Sequence, residues 1–398
     1  MKKTLAIVAL PLALVLGGAI QLGRPVPTVE LGGAPGAVTL PGKFTVTFPT
    51  QGQAAVGEQS LGLVAATPNQ EAVPIASLAK MMTAYLLLKA QPLEVGQDGP
   101  TTTITAADVL EYEHDRAAGY SVAKVAAGEK LTERQLLEAL LLPSADNVAT
   151  LIARQVGGTE AGFVKKMNEA AHALGMDHTT YTDASGVNAA TASTASDQLR
   201  IAQVVMRDRT MREVVRMPQA ALPVAGVVYN VNFMVGKEGL SGVKTGSTLA
   251  AGSCFVGSFP VTVDGKPRLL LGAVLGQKSL REALSYEGTM LHAVAPQFKV
   301  YPLPAPQAHL STPWQAPVAL KPAAPLKVFG FPGMSVNVAT QLTHATLPIA
   351  AGQTVGTLAI TAGEATEAIE LRATGAIQAP SLMWRLGRMG SASASPAR

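Results

Sequence analysis

Pro74-Ile75-Ala76-Ser77-Leu78-Ala79-Lys80-Met81-Met82-Thr83-Ala84-Tyr85-Leu86-Leu87-Leu88 is the stretch on which the fold turns. It predicts a helix with a serine in its first turn and a lysine one turn later. Residues three apart share a helix face, so Ser77 and Lys80 can meet. Beyond Lys80 the run is apolar almost all round, the pattern of a helix packed inside a protein rather than on it. A lysine there is unfavourable unless it is paired or gives up its charge. A neutral lysine beside a serine hydroxyl is a base beside its nucleophile. The partly positive helix N-terminus favours charge developing on the serine oxygen. S-x-x-K fixes only two positions, however, and arises by chance in many chains.

Two further stretches bear on it. Thr132-Glu133-Arg134-Gln135 is a capping box that opens a helix through Leu142, which Pro143 halts. Directly after the stop comes Ser144-Ala145-Asp146-Asn147-Val148-Ala149, a polar cluster wedged between two apolar helices. Read alone it is an ordinary helix N-cap, because Ser and Asp are favoured there. Leu240-Ser241-Gly242-Val243-Lys244-Thr245-Gly246-Ser247 precedes a strand-like run from Ser253 to Phe259. A Lys-Thr-Gly on a strand edge has a physical logic. The glycine lets a ligand approach the backbone, and the lysine and hydroxyl can hold an anionic group. Read alone it is a surface strand ending in a turn.

S-x-x-K, S-D-N and K-T-G, in that order, are the signature set of β-lactamases and penicillin-binding proteins. All three stretches occur here in that order, each in the setting it needs, with Ala145 between the serine and aspartate of the middle one. The chain therefore resembles low-molecular-mass penicillin-binding proteins, specifically serine-type D-alanyl-D-alanine carboxypeptidases, over roughly Gln53 to Leu371. The resemblance implies an α/β catalytic domain of the β-lactamase/transpeptidase kind, with a five-stranded antiparallel sheet flanked by helices and a helical subdomain. A small all-β C-terminal module would follow. It also implies roles. Ser77 attacks the carbonyl of the penultimate D-alanine, Lys80 takes its proton, and Ser144 bridges Lys80 and Lys244 and relays the proton to the leaving D-alanine. Lys244 and Thr245 hold the terminal carboxylate beside Gly246. The backbone N–H groups of Ser77 and Ser247 form the oxyanion hole, and Arg281 assists the carboxylate. The substrate would be the peptidoglycan stem peptide, with β-lactam antibiotics as covalent inhibitors.

One departure stands out. The family's middle motif is usually S-x-N, and Asp146 occupies its third position, with Asn147 one residue later. A carboxylate accepts but does not donate, so either the substrate loses an amide donor or Asn147 replaces it. Two alternatives stay open. A β-lactamase shares the three motifs but usually needs a deacylating glutamate on a loop; Glu160 and Glu169 fall in that interval on what reads as a helix. A catalytically silent wall-binding scaffold is encouraged only by Asp146.

Composition sets the frame. Of 398 residues, 48% are hydrophobic and 15% charged, so a sizeable core is expected. The net charge of +4 is spread along the chain, no Lys/Arg run occurs, and aromatic content is 5%, which argues against nucleic acid. Charge allows only a weak attraction to an anionic wall or membrane surface. The single cysteine, Cys254, reads as a small buried strand residue. Six histidines without metal-ligand spacing lead us to expect no metal, and no cofactor is expected either.

Met1-Lys2-Lys3 and the apolar run from Thr4 to Leu16, with small residues at Gly17-Gly18-Ala19, read as a signal peptide or N-terminal anchor over 1–23. Either way the chain is exported and works outside the cytoplasm, at the wall or the outer membrane face. Residues 24–52, rich in Pro, Gly and Thr, read as a linker. The catalytic domain is expected over 53–295. Prolines crowd from Pro302 to Pro325, and short strand-like segments follow, so 296–380 reads as a β-rich domain. Trp384, Arg385 and Arg388 suggest a short amphipathic segment within 381–398, ahead of a Ser/Ala tail.

Overall fold

Residues after Lys80 do form the helix Lys80–Ala90, buried along nearly its whole length. Its charged exception, Lys80 itself, is 0% exposed. The helix packs against those at Glu133–Leu141, Asp146–Gly157, Glu160–Ala173 and Ala195–Val205. A computed structural model describes residues 17–33, 36–343 and 346–388 of the chain. Two compact units emerge, one spanning Gly42–Lys299 and the other joining the chain through Pro41 to the chain from Val300 onward.

The first unit is built on a five-stranded antiparallel sheet. Its order is Val243–Thr248, Gly252–Val263, Lys266–Gln277, Gln53–Glu58, Gly62–Ala66. Asp264 and Gly265, both with positive φ, close the central hairpin as a primed turn requires. Helices cover both faces. Leu199, on the Ala195–Val205 helix, fills the space over Gly57. Glu287, on the Leu280–Val294 helix, fills the space over Gly257 and Gly272. Gly57 pairs with Leu271, the neighbour of Gly272, and consecutive strand residues point to opposite faces. The two helices therefore lie on opposite sides. The ends of this unit are fastened together. Gln297 Oε1 accepts from the Thr45 amide at 2.9 Å, and the rings of Phe44 and Phe298 meet edge-on at 5.9 Å.

One helix was not expected. Ala106–Ala117 forms where no element was assigned from the sequence, started by a Thr105/Asp108 capping box. Only Asp108, Tyr112 and Asp115 of it are buried, so no apolar stripe announces it.

The second unit corrects the reading of 24–52 as a linker. Glu30–Gly32 and Ala37–Thr39 are strands, and they form the two outer edges of a seven-stranded antiparallel sheet whose other five strands lie between His309 and Ala373. Glu30 pairs with Ser311, and Thr39 with Ser335. Seven strands laid flat would hold their outer members about 29 Å apart, whereas the stretch from Gly32 to Ala37 reaches at most about 18 Å. The sheet must therefore curl until its edges approach, which gives a sandwich-like module. Three-residue strands paired with partners hundreds of residues away carry no periodic signal of their own.

Within 381–398, the helix Leu382–Gly387 is capped by Ser381. Arg385 donates to the carbonyl of Leu22, and Arg388 to that of Pro25 at 3.3 Å. Trp384 meets Trp314 edge-on at 5.2 Å. Residues 1–16 of the expected signal or anchor, and the tail from 389, lie outside the described residues. Among the described residues no helix is long and apolar enough to cross a membrane.

Candidate active site

Ser77 sits one step earlier than expected, in a short 3-10 turn, Ala76–Ala79, that feeds the helix at Lys80. The turn is entered through Ala76 at φ +49°, a left-handed conformation that costs a non-glycine residue about 1–2 kcal/mol. Two glycine backbones crowd it. A Cβ on Gly186 would come 1.8 Å from the Ala76 carbonyl, and one on Gly246 would come 3.0 Å from the Ser77 nitrogen. The glycine of Lys-Thr-Gly thus lets the edge strand lie against the nucleophile's own backbone. Ser77 is half-buried and reachable.

Lys80 Nζ lies 2.9 Å from Ser77 Oγ, 2.5 Å from Asp146 Oδ1 and 3.0 Å from the Ser185 carbonyl. Lys244 Nζ lies 2.9 Å from Ser144 Oγ and 2.9 Å from the Thr245 carbonyl. Ser144, at φ +65°, is a second strained residue at the site. The fold thus brings Ser77, Lys80, Ser144, Asp146, Lys244 and Thr245 into one cluster, with Gly246 at its wall. Burial, and then the charge on Lys80, push the Lys244 ammonium well below its ordinary pKa, against the pull of Asp146.

Asp146 is the first residue of its helix, yet it does not cap it; the capping position is Ala145, which has no side-chain bond. Its carboxylate pairs with Lys80 through one oxygen and accepts the Ser121 amide at 3.1 Å through the other. Asn147 is turned away from the cluster. Its Oδ1 accepts from the Ala123 amide at 3.1 Å and its Nδ2 donates to the Ala123 carbonyl at 3.0 Å. Both ends of that amide are engaged at Ala123, tying down the loop there. Arg281 lies exposed on the first turn of the Leu280–Val294 helix. Among the described residues no ion pair engages it, and no hydrogen bond joins it to Lys244 or Thr245. Cys254 is fully buried, and burial pushes its thiol up to about 11, a structural rather than reactive setting.

Three contributors escaped the sequence reading. Asp183 organises the loop behind the nucleophile. Its Oδ2 accepts from Ser185 Oγ at 2.8 Å and from the amides of Gly186 and Val187 at 2.8 and 2.9 Å. That arrangement aims the Ser185 carbonyl at Lys80. Thr83, one turn beyond Lys80, ties the same loop down by donating to the Ala184 carbonyl at 2.6 Å. Asp115 comes from the unexpected helix. Burial, then Glu111 and Asp146, push its carboxyl up to about 6. The Asp-Ala-Ser-Gly run at 183–186 was the one available signal, since Asp before Ser-Gly favours a side-chain-bonded turn.

Comparisons with known proteins give the chain's family and its fold relatives. The family model described as D-alanyl-D-alanine carboxypeptidase (peptidase family S11) matches residues 51–279. A D-alanyl-D-alanine carboxypeptidase of Streptomyces sp. K15 is 32% identical over 221 residues, covering 51% of this chain and 72% of the relative. A D-alanyl-D-alanine endopeptidase of Pseudomonas aeruginosa is 28% identical over 213 residues, 52% of this chain; the match spans just under two thirds, 66%, of that relative's own length. Among solved structures, the Streptomyces K15 DD-transpeptidase superposes with a TM-score of 0.55 at 27% identity, covering 63% of this chain and 100% of that one. The D-alanyl-D-alanine carboxypeptidase DacD of Francisella tularensis gives 0.60 over 84% of this chain and 95% of its own, at 19% identity, which speaks for the fold alone.

Proposed function

The chain belongs to the D-alanyl-D-alanine carboxypeptidase family, and from that premise we propose that Ser77 is the nucleophile of a serine-type DD-carboxypeptidase that trims peptidoglycan stem peptides. The observation that carries the reading is the pair of 2.9 Å contacts, Lys80 to Ser77 and Lys244 to Ser144, facing one another across a buried cluster.

Val243–Thr248 is an edge strand, so its outer backbone groups are open to an extended peptide. The terminal carboxylate of the stem peptide lies at Lys244 and Thr245, with Arg281 approaching it from solvent. The carbonyl of the penultimate D-alanine then reaches Ser77. Lys80 first yields a proton to Asp146 across their 2.5 Å contact; the Ser77 hydroxyl then passes its proton to Lys80 as the C–O bond forms, and the tetrahedral oxyanion is held by the amides of Ser77 and Ser247. A single such donor is worth roughly 3 kcal/mol. Ser144 delivers a proton to the D-alanine nitrogen as the peptide bond breaks. Water then opens the acyl-enzyme by the reverse proton path. β-Lactams enter the same route and stop at the acyl stage. Because peptidoglycan lies outside the cytoplasm, we infer that the enzyme works there, on the wall or the outer face of the cytoplasmic membrane.

The test supplies the chain with a peptide ending in D-Ala-D-Ala and measures free D-alanine, with and without prior penicillin. Penicillin-sensitive release, and loss of covalent penicillin labelling in a folded Ser77→Ala variant, are expected. Labelling that survives in Ser77→Ala sinks the serine assignment, and rapid penicillin turnover instead of a lasting adduct moves the reading to a β-lactamase.

A further inference from the structure

The cluster around Ser77 contains two buried lysines and one carboxylate, which bonds to one of them. Lys80 and Lys244 are 0% and 2% exposed, and Asp146 is 5% exposed. The carboxylate is committed to one of the two, since Asp146 Oδ1 sits 2.5 Å from Lys80 and its Oδ2 takes the Ser121 amide. Lys80 thereby faces three acceptors, the number an ammonium group can serve. Lys244 has two partners, Ser144 Oγ and the Thr245 carbonyl, and neither is charged.

The charged groups acting on Lys244 are Lys80, from the Lys80–Ala90 helix, which repels its charge, and Asp146, from the Asp146–Gly157 helix, which favours it. On the neighbouring Ala106–Ala117 helix, Asp115 interacts with Lys80 and Asp146. Among the described residues Lys244 thus has no counter-ion of its own. An unpaired buried ammonium is costly, and a lysine so placed gives up its proton; the depressed value noted above has the same cause.

We propose that the terminal carboxylate of the substrate enters this site together with one proton, taken up by Lys244, so that the ligand supplies the counter-ion the protein withholds. Neutral Lys244 plus carboxylate plus H⁺ becomes an ammonium–carboxylate pair. The inference rests on the reading that Lys244 receives that carboxylate. Asp146 makes it specific to this chain. An asparagine there would give neither lysine a counter-ion, whereas the aspartate assigns one to Lys80 and leaves Lys244 to the ligand.

Benzylpenicillin provides the test, because it carries a carboxylate and its acylation step is proton-neutral. The lactam C–N bond breaks, the Ser77 ester forms, and the hydroxyl proton ends on the ring nitrogen. Proton uptake during adduct formation therefore reports another group. The wild-type chain, unbuffered in a pH-stat at about pH 8.5, is mixed with stoichiometric benzylpenicillin, and the adduct is counted by mass spectrometry. About one proton consumed per adduct is expected. Lys244→Arg, whose guanidinium stays charged, is expected to form the adduct with no uptake. A full adduct without uptake in the wild type overturns the proposal and leaves Ser77 as nucleophile. Uptake that persists in Lys244→Arg also overturns it, since the proton then goes elsewhere. Absence of any wild-type adduct overturns the reading of the site, and this proposal with it.

Discussion

Replacing Asp183 by alanine removes the carboxylate that shapes the loop behind the nucleophile. Four bonds are at stake at good distances, from Ser185 Oγ, the amides of Gly186 and Val187, and Thr191 Oγ1 at 2.5 Å. Bonds to a charged acceptor contribute roughly 1.5–3 kcal/mol each. Asp183 is only half-buried, so water replaces part of the loss, and about two bonds' worth at the low end of that range, roughly 3–4 kcal/mol, is the expected cost. For a unit of this size that lowers Tm by roughly 6–16 °C. Catalysis suffers by a separate route. The Ser185 carbonyl, 3.0 Å from Lys80 Nζ, loses its fixed position, and the base gains freedom to leave Ser77. If about 1.4–2.8 kcal/mol of the cost reaches the nucleophile, acylation by a fluorescent penicillin slows roughly 10- to 100-fold. Stopped-flow acylation and a thermal melt on the same preparation separate the two effects. Asp183→Asn, which keeps one carbonyl acceptor, should fall between wild type and alanine in both. Acylation at the wild-type rate in Asp183→Ala, with the melt lowered as expected, would refute the link from loop to base.

Asp146→Asn restores an amide at the position where S-x-N motifs carry one, and D-alanine release should stay within about threefold of wild type or rise. A fall beyond about tenfold would show that the acid has its own role in turnover. Gly186→Ala asks for a side chain at φ +84° with its Cβ 1.8 Å from the Ala76 carbonyl; a loss of about 3 kcal/mol or more and slow penicillin labelling are expected, and a variant with wild-type Tm and labelling contradicts the clamp. Glu287 is fully buried, neither carboxyl oxygen has a hydrogen-bond partner among the described residues, and burial raises its pKa well above the ordinary value. The unfolded chain therefore releases this proton at lower pH than the folded one, and stability falls as pH climbs through that interval. Glu287→Met should raise Tm more at pH 8 than at pH 5, and equal gains at both would rule out the buried acid as the source.

The parts of the site legible in the sequence were those whose chemistry is local. Ser77 and Lys80 are one turn apart, so their meeting follows from helix geometry, and Lys244-Thr245-Gly246 fell on the strand edge its glycine suggests. The Lys80 helix announced its burial because the residues after the lysine are apolar almost all round. What stayed hidden depends on distant partners. Asp146 and Asn147 are adjacent in sequence, and either could have faced the ligand; only the position of the 121–123 loop assigns one to Lys80 and the other to Ala123. The carboxylate of Asp183 acts through backbone amides, which any sequence possesses. Ala106–Ala117 shows a polar surface to solvent and hides two of its acids, so it lacks the stripe from which helices are read. Glu30–Gly32 and Ala37–Thr39 become strands only because the C-terminal sheet has edges to cover.

Those two short strands make the catalytic unit, topologically, an insertion within another domain. In a chain made from its N-terminus, Glu30 emerges long before its partner Ser311. The interval is less of an obstacle than its length suggests. The catalytic unit fastens its own ends, Thr45 to Gln297 across 252 residues of sequence, so once folded it behaves as a short clasp. Reducing the loop to be closed from nearly 300 residues to a few tens lowers the entropic cost of joining the outer strands by roughly 2 kcal/mol. The order of events follows. The sheet shuts only after its C-terminal strands are made, around outer strands that have waited since the start of synthesis.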